Sequence, residues 1–383
     1  MGVVTGSVVA AYRPTVAVVS TSAITSNVRA LAAHVAPSSV CAVVKANGYG
    51  HGAVRSARAA LDGGAVMLAV AMVEEGIELR AAGIDAPILL LSEFPVLAAP
   101  VVVSSGLTAT VYSGDAIDAL ASAAAAAGVV ADVHLKVDTG MHRVGCTPVE
   151  AVGLAARIAS TDSLRLAGTF THLAVADDPS DGFTSLQIAR FMSVVDGLRS
   201  AGLDPGLLHA ANSAGGIAHP SARFDMVRFG VSIYGNSPDS GLDMRAYGLS
   251  LIPAMTLRSA VSFVKVVAAG ERVSYGLRWT APVDTVIATV PIVYADGVPR
   301  RLSSVGGEVL IGAQRRPIVG RITMDQILVD CGTDATVSVG DEVVLLGTQG
   351  SAAILAWDWA DRLDTIAYEI TCGISARVPR VDR

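Results

Sequence analysis

Lysine is scarce in this sequence, and charged residues of every kind are few. Three lysines stand against 25 arginines, only 16% of the 383 residues are charged, and the net charge is −6. There is no cluster of basic residues of the kind that binds nucleic acid, which excludes that class of function. A lysine that arginine has not replaced in such a chain is a candidate for chemistry that needs an amine.

Cysteine is also scarce. The four cysteines lie far apart and form no Cys-x-x-Cys pair: Cys41, Cys146, Cys331 and Cys372. We interpret them as buried thiols of a protein from a reducing compartment, not as a disulfide framework or a zinc site. No spacing of His, Cys and Asp in the sequence predicts a metal site.

An unbroken hydrophobic run of membrane-spanning length is missing. The longest uncharged stretch, residues 94–114, is interrupted by Pro95, Pro100 and Ser104-Ser105-Gly106, so it predicts a strand, a turn and a second strand. The first ten residues lack the basic region of a secretory signal. We therefore expect a cytoplasmic protein with no membrane association.

Short apolar runs alternate with alanine-rich helical stretches between residue 38 and about residue 235. Eight runs have the length of a buried strand, near 40–45, 66–70, 87–91, 107–111, 131–138, 164–171, 207–210 and 224–228. Eight such units predict a closed (β/α)8 barrel of the TIM type, which is an α/β fold. We assign residues 1–245 to this barrel domain. An earlier strand at 15–19 is one too many for the barrel, and we assign it to the second domain.

The pattern changes after Tyr247. Segments of alternating hydrophobicity are separated by Gly, Pro and Asp turns, at 256–268, 284–293, 315–320, 326–330 and 341–347. Helical stretches are almost absent, apart from about 351–362. Residues 246–383 are therefore predicted to form a mainly β domain that follows the barrel.

Lys45 is the lysine whose surroundings are most informative. It follows an apolar run, residues 40–44, that reads as a buried strand, and a glycine-rich stretch comes after it. Burial disfavours the charged form of an amine, and a neutral amine can form an imine with a carbonyl cofactor such as pyridoxal phosphate. The alternative is a lysine at a strand end whose ammonium group reaches solvent.

Residues 43–52, VVKANGYGHG, closely resemble the cofactor-lysine signature of the alanine racemases. The resemblance covers nearly the whole chain, from Arg13-Pro14-Thr15 to Arg377-Val378-Pro379-Arg380. It implies a barrel followed by a β domain, pyridoxal 5'-phosphate as cofactor, and interconversion of L-alanine and D-alanine that supplies D-alanine for peptidoglycan. Three alternatives stay open: a serine or broad-specificity racemase, a barrel-type pyridoxal-phosphate decarboxylase, and a non-catalytic cofactor-binding barrel.

The informative polar residues follow predicted strands at their carboxyl ends, where the active sites of such barrels lie. They are Lys45, Lys136, Asp138, Arg143, His172, Asn212, Ser213 and Arg228. Strand five alternates, with Val133, Leu135 and Val137 on one face. The apolar face should meet the helices, so Lys136 is expected to point into the barrel.

The resemblance also implies which residues carry the reaction. Lys45 and Tyr275 would serve as bases on opposite faces of the substrate α-carbon, and a chain from Tyr275 through His172 to Arg228 would support the phenol. Arg228 would face the pyridine nitrogen and leave it unprotonated, because an arginine cannot accept its proton. The residues expected to hold the cofactor are Lys45, Tyr49, His172, Asn212, Ser213, Arg228, Gly230, Val231 and Tyr368.

The resemblance further assigns the substrate carboxylate to Arg143 and the Met324 amide. Lys136 is expected to be carbamylated and to steer Arg143, and Asp325 is a supporting residue. The entrance would be lined by Asp177, Tyr294, Arg300, Arg321 and Ile366. Tyr275 and Met324 would enter the barrel mouth of a partner subunit, which implies a homodimer with shared sites.

Among the histidines, His51 and His209 are candidates for supporting contacts, and His134 is assigned no role. Three positions differ from the commoner racemase pattern: Thr323, Val293 and Phe229 stand where cysteine, glycine and a smaller residue or proline are usual. These differences bear on substrate fit and inhibitor sensitivity.

Overall fold

The computed structural model describes residues 12–334 and 336–383, which form two compact units. One unit comprises residues 21–254, and the other comprises the described residues of 255–383 together with residues 12–20. The first ten residues, where no secretory signal is expected, lie outside the described part. The domain ranges 1–245 and 246–383 stay a prediction.

The larger unit is an eight-stranded parallel barrel, which confirms the predicted fold class. Its strands are β2 (Ser39–Val43), β3 (Met67–Val70), β4 (Ile88–Leu90), β5 (Ala109–Val111), β6 (Ala131–Lys136), β7 (Leu164–Phe170), β8 (Leu207–His209) and β9 (Met226–Phe229). They pair in the orders β4-β3-β2-β9 and β5-β6-β7-β8. Backbone bonds from Thr108 to Ile88 and from Asp225 to Leu208 link these two groups and close the ring.

Helices connect the barrel strands. They are α1 (Thr21–Val35), the short α2 (Lys45–Tyr49), α3 (Ala53–Asp62), α4 (Val73–Ala81), α5 (Ala99–Ser104), α6 (Gly114–Ala127), α7 (Pro148–Ala159), α8 (Phe183–Ser200) and α9 (Ser213–Ala218). Helix α7 shows how the sequence sets a boundary: Thr147 Oγ1 accepts from Glu150 N, and the Glu150 carboxylate accepts from Thr147 N. Pro148 occupies the first helical position, where its missing N–H costs nothing.

Strand β6 has one face toward the helices and one toward the barrel interior. Leu135 and Val137 pack with Ala151 of α7 and Val194 and Leu198 of α8. Lys136 lies on the opposite face, where it is 4% exposed. The alternation in the sequence therefore predicted the direction of Lys136 correctly.

The prediction of two strands in residues 94–114 is wrong for the first of them. A 3-10 turn at Val96–Ala98 leads into α5, and only Ala109–Val111 is a strand. Parallel neighbours such as β4 and β5 need a crossover outside the sheet, and a helix supplies it. This tertiary requirement outweighs the low helix propensity of three consecutive valines.

The second unit is built on a mainly antiparallel sheet of order β11-β14-β17-β16-β15-β18-β10-β1-β20, in which β1 and β20 are parallel. Its strands are β1 (Val16–Val19), β10 (Met255–Ala260), β11 (Phe263–Val267), β14 (Thr285–Val290), β15 (Glu308–Ile311), β16 (Gln314–Val319), β17 (Ile327–Asp330), β18 (Glu342–Gln349) and β20 (Arg380–Asp382), with β19 (Ala352–Ile354) beside β18. The N-terminal strand β1 pairs antiparallel with β10. Lys265 is exposed on β11, which lies at one end of this sheet order.

A small hairpin and two helices complete this unit. The hairpin is formed by β12 (Arg272–Val273) and β13 (Trp279–Thr280), and the helices are α10 (Ala356–Leu363) and α11 (Ala367–Gly373). Helix α10 buries Trp359 in the sheet's core. The sequence predicted a single helix at 351–362. The first residues of that range form β19 instead, and α11 was not predicted because its seven residues give too little periodicity.

Three of the four cysteines are buried, and the prediction is wrong for Cys372, which is exposed on α11. None of the four forms a disulfide. Within residues 12–334 and 336–383, no helix is long and apolar enough to cross a membrane.

Candidate active site

Lys45 begins a left-handed turn directly after β2. Ala46, Asn47 and Tyr49 have φ values of 52°, 52° and 51°, a conformation that costs an L-residue roughly 1–2 kcal/mol. Neighbouring side chains hold the turn: the Glu75 carboxylate accepts from the amide of Ala46 at 2.6 Å, and the Asn47 side-chain oxygen Oδ1 accepts from Ala53 N at 2.9 Å. Strain of this kind persists only where the surroundings fix the backbone, and it is typical of functional sites.

His51 lies beneath the same turn. Its ring is fully buried, its Nδ1 lies 3.0 Å from the carbonyl oxygens of Gly48 and Tyr49, and it stacks on Tyr234 with ring centroids 4.4 Å apart. Since carbonyl oxygens only accept, Nδ1 carries the proton. The expected supporting histidine therefore acts on the backbone of the lysine turn.

Positive charge accumulates at the carboxyl ends of the barrel strands. Burial, together with the charges of Arg228, Arg143 and Lys45, lowers the pKa of Lys136 to about 7, against the opposite effect of Asp138. The Lys136 amine donates to the carbonyl oxygen of Leu91 at 2.8 Å. These four cations converge on one region of the barrel, which is suited to anionic ligands.

Arg228 is the most buried of these cations, with 2% exposure on β9. Its guanidinium donates to His209 Nδ1 at 2.7 Å, to His172 Nδ1 at 3.1 Å, and to the carbonyl oxygens of Thr171 and Ala210 at 2.9 Å. Among the described residues, no carboxylate pairs with it. Burial lowers the pKa of Arg228 to about 10, so it is still a cation at neutral pH.

The side chains that accept hydrogen bonds from Arg228 are neutral. Burial, and next the charge of Arg228, holds the pKa of His172 and of His209 well below the usual value. Burial also raises the pKa of the neighbouring Cys41 thiol to about 12. Arg228 is thus a cation surrounded by neutral acceptors, and it has donors to offer but cannot accept a proton.

Tyr49, Ser213 and Gly230 meet on the same side of the barrel. Gly230 N donates to Ser213 Oγ at 3.0 Å, and a Cβ at Gly230 would lie only 2.4 Å from the Tyr49 hydroxyl. Asn212 accepts from Gly215 N at 2.9 Å and so fixes the loop that carries Ser213. Hydroxyls and amides at a glycine-lined surface form a suitable cradle for a phosphate.

The loop after β6 carries Arg143. Asp138 accepts from the amides of Gly140 at 2.9 Å and His142 at 3.1 Å, which shapes the loop. Arg143 is exposed at its tip. Its charge contributes to the lowered pKa of Lys136 and of His172, so Arg143 interacts electrostatically with both residues.

Tyr275 and Met324 lie in the second unit. Tyr275 is 74% exposed in the turn between β12 and β13, and Met324 is 57% exposed. Ser274 joins the two loops, because its hydroxyl donates to the carbonyl oxygen of Arg321 at 2.9 Å and accepts from its amide at 3.1 Å. Tyr275 and Thr323 line one cavity of about 420 Å³. The structure therefore brings the segments of Tyr275 and Met324 to one surface.

The expected entrance residues divide between the units. Arg300 and Arg321 line a cavity of about 680 Å³, together with Arg278 and Arg301. Tyr294 and Ile366 are exposed and Tyr368 is half-buried in the same unit, where Asp325 is also exposed. Asp177 belongs to the barrel unit and is exposed.

The three unusual positions have different surroundings. Val293 and Phe229 are fully buried. A Cβ at Gly216 would lie 2.9 Å from the Phe229 ring, so this larger side chain fills the space beside a glycine. Thr323 accepts from the amides of Asp325 and Gln326 and donates to the Gln326 carbonyl oxygen, which closes the Met324 loop.

Comparison with known proteins gives a match over both units. The family model described as "Alanine racemase, N-terminal domain" matches residues 19–238, and "Alanine racemase, C-terminal domain" matches residues 254–382. The alanine racemase of Symbiobacterium thermophilum is 47% identical over 368 residues, which are 96% of this chain and 97% of that protein. The chain belongs to the alanine racemase family.

Solved structures of alanine racemases are similar over almost the full length. The enzyme from D-cycloserine producing Streptomyces lavendulae has a TM-score of 0.91 at 40% identity, covering 97% of each chain. The enzyme from Bacillus anthracis, solved with bound L-Ala-P, has a TM-score of 0.89 at 36% identity and covers 97% of this chain and 95% of that one. This protein is therefore a pyridoxal-phosphate-dependent racemase with a TIM barrel and a mainly β domain.

The barrel residues of this racemase fit pyridoxal phosphate on structural grounds. The lysine turn presents an amine, the surface around Gly230 is too close to Tyr49 for any larger residue, and the surrounding charge is positive. Metal binding has no comparable support: within residues 12–334 and 336–383, no group of three or more His, Cys, Asp or Glu could hold a metal ion.

Two residues of the racemase site, Glu75 and His134, were not predicted from the sequence. Glu75 holds the lysine turn from α4, where it also accepts from the amides of Ala71 and Met72. Met72 precedes the helix, so the Ser/Thr that marks a capping box in a sequence is absent. His134 bonds to His209 at 2.8 Å. The sequence did contain one indication: His134 lies two residues before Lys136 and therefore on the same inward-facing side of β6.

Proposed function

We propose that this racemase interconverts L-alanine and D-alanine with pyridoxal phosphate tethered to Lys45, and supplies D-alanine for peptidoglycan in the cytoplasm. The observation that carries the proposal is the arrangement around Arg228, a buried cation that donates to the neutral rings of His209 and His172 and that pairs with no carboxylate among the described residues. An acidic residue would be needed to protonate the cofactor ring, and an arginine supplies only donors.

The bound pyridoxal group would supply the electron-withdrawing system that acidifies the substrate α-proton. The Lys45 amine takes that proton on one face or returns it. Arg228 would face the ring nitrogen of the bound cofactor and, having only donors, would leave it unprotonated, which would limit the reaction to proton exchange at one carbon. Tyr49, Asn212, Ser213, and the amides of Gly230 and Val231 would hold the phosphate, and Tyr368 would close this region.

The second base is Tyr275 of a second copy of the chain. Its exposure, and its link to the Met324 loop through Ser274 and Arg321, support the proposal that this surface docks on the barrel mouth of a partner. His172 is neutral and accepts from Arg228 at Nδ1, so its proton is on Nε2, which is suited to donate a hydrogen bond to the phenol oxygen of Tyr275. The active form is accordingly a homodimer with two shared sites.

Arg143 and the Met324 amide bind the substrate carboxylate, with Asp325 supporting the loop. Lys136 is carbamylated: its neutral amine adds to carbon dioxide and releases one proton, and the resulting anion orients Arg143. Support comes from the lowered pKa of Lys136, about 7, because only the neutral amine reacts. Asp177, Tyr294, Arg300, Arg321 and Ile366 line the entrance.

The experiment that tests this function is incubation of the purified holoenzyme with L-alanine or L-serine in deuterium oxide, followed by chiral analysis. Inverted, α-deuterated alanine formed faster than serine is the expected result. Exchange without inversion, or release of carbon dioxide, would contradict it. A Lys45→Ala variant serves as the control, and should lose the visible absorbance that borohydride removes from the parental protein.

A further inference from the structure

His134 and His209 form a buried pair in the barrel interior, beneath Arg228. Their exposures are 1% and 0%, and His134 Nδ1 lies 2.8 Å from His209 Nε2. Phe170 stacks on His209 with ring centroids 4.5 Å apart and an interplanar angle of 9°. The packing therefore fixes the position of the His209 ring. Which of its two ring nitrogens carries the proton depends on its hydrogen-bond partners.

The position of that proton follows from the donors and acceptors around it. Arg228 has only N–H donors, so His209 Nδ1, at 2.7 Å, must accept. A neutral imidazole carries one proton, which must then be on Nε2 and be donated to His134 Nδ1. Burial lowers the pKa of His134 to about 4, so His134 is neutral and its Nδ1 is able to accept.

The strand pairing shows that His134 is held at this place by the backbone. The register of β6 against β7 shifts at His134, so that Val133 pairs with Leu166 and His134 with Gly168. A Cβ at Gly168 would lie 2.7 Å from both Cε1 and Nδ1 of His134. Bulges commonly redirect a side chain near an active site, and here one also provides a glycine surface for the ring.

We infer that His134 is a positioning residue for the racemase reaction, which selects the His209 tautomer that holds Arg228 in place. Without an acceptor at His134, the proton of His209 is free to move to Nδ1, where it would oppose an N–H of Arg228. The guanidinium would then lose one of its neutral acceptors, and among the described residues no carboxylate pairs with it. The inference rests on the proposed role of Arg228 at the cofactor ring.

Two substitutions of similar size separate this role from simple packing. His134→Asn keeps an oxygen acceptor near the place of Nδ1, whereas His134→Leu fills the space without an acceptor. Nitrogen-15 NMR of the imidazoles in the cofactor-free dimer is the first measurement. It should show His209 protonated at Nε2 and not at Nδ1 in the parental and asparagine proteins, and a mixture of both tautomers in the leucine protein.

Turnover of the loaded enzyme is the second measurement. His134→Leu should lower kcat by roughly tenfold to a hundredfold, as is found when hydrogen-bonded supports of active-site ligands are removed, with little change in KM or melting temperature. His134→Asn should stay within about threefold of the parental kcat, because the acceptor is kept. Gly168→Ala, which displaces the ring without changing it, should reproduce the tautomer mixture if His134→Leu does not fold.

Two results would overturn the inference. One is a proton on His209 Nδ1 in the parental dimer, and the other is a leucine variant with mixed tautomers and unchanged kcat. Failure of the proposed function is recognised separately, because it would appear as absent racemisation in the parental enzyme, whatever the tautomer of His209.

Discussion

Tyr275 is an exposed phenol in the second unit, and its hydroxyl is the group to remove first. Tyr275→Phe should reduce racemisation by roughly a hundredfold or more, as expected when a general acid–base group is lost. The α-proton of the enantiomer that Lys45 serves should still exchange with deuterium oxide, while that of the other enantiomer should not. Tyr12→Phe, at another exposed tyrosine, is the matched control. Equal residual exchange from both enantiomers would refute the assignment.

Lys136 provides a second prediction for a single side chain. Carbamylation needs the neutral amine, so the modification should be present at pH 8 and decline as pH falls through about 7. Carbon-13 NMR after equilibration with labelled bicarbonate measures this directly. Lys136→Gln should remove the signal, and Lys265→Gln should leave it. A signal that is absent at pH 8 in the parental protein would show that the lysine is unmodified.

Isolated lysine and arginine residues could be predicted as site residues from the sequence. Residues that act by hydrogen bonding to a distant part of the chain could not. Lys45, Arg228 and Lys136 follow apolar strands, where an isolated cation stands out. Glu75 and His134 gave no such signal, because each acts on a neighbour that is close only in the folded barrel. A sequence lists donors and acceptors, but the distances between them depend on strand register.

The left-handed lysine turn is the element whose strain is most directly testable. Glu75→Ala removes the acceptor that holds the amides of Ala46 and Ala71, and the turn should then relax toward a right-handed conformation. We expect a roughly tenfold loss of kcat and faster hydrogen exchange at the Ala46 amide. Glu74→Ala, on the exposed side of the same helical turn, should change neither. If the Ala46 amide exchanges at the same rate in Glu75→Ala as in the parental protein, the Glu75 contact is not needed to maintain the turn.

Element prediction succeeded for the barrel strands and failed where neighbours determine the structure. All eight strand-like runs became strands, because a strand buried on both faces reads as a continuous apolar run. The valines at 101–103 became part of α5 because the crossover between β4 and β5 required a helix there. Short strands such as β12 and β19 have two or three residues, too few to show a period.

The proposed sharing of sites between two subunits can be tested on the whole molecule. Lys45→Ala and Tyr275→Phe chains, each inactive alone, should regain about a quarter of the parental activity when they are mixed equally and reassembled. Half of such dimers are mixed, and in each one site keeps both intact residues. If Tyr275 served the barrel of its own chain, the mixture would stay inactive.

The acid stability of the molecule should reflect its buried neutral histidines. His134, His172 and His209 have lowered pKa values when folded, and all three titrate near 6.5 when unfolded. The unfolded chain therefore binds more protons below pH 6.5, and the unfolding free energy should fall by about 1.4 kcal/mol per pH unit for each histidine.

Urea unfolding of the barrel at pH 7.0 and 5.5 measures this fall. His134→Asn should reduce the decrease in unfolding free energy per pH unit by about a third, because one of the three titrating groups is removed. A urea midpoint that is independent of pH between these values would mean that the three rings are already charged in the native protein.

Because lysine is scarce, the purified enzyme offers few side-chain amines for chemical coupling. If Lys45 carries the cofactor as proposed, and with Lys136 only 4% exposed, Lys265 on strand β11 is the one remaining side-chain amine open to reagents. An amine-reactive resin or surface would therefore attach the subunits through the outer edge of the β-sheet, or through the α-amino group. Immobilised preparations would have at most these two attachment points per subunit, and coupling would leave Lys45 and Lys136 unmodified.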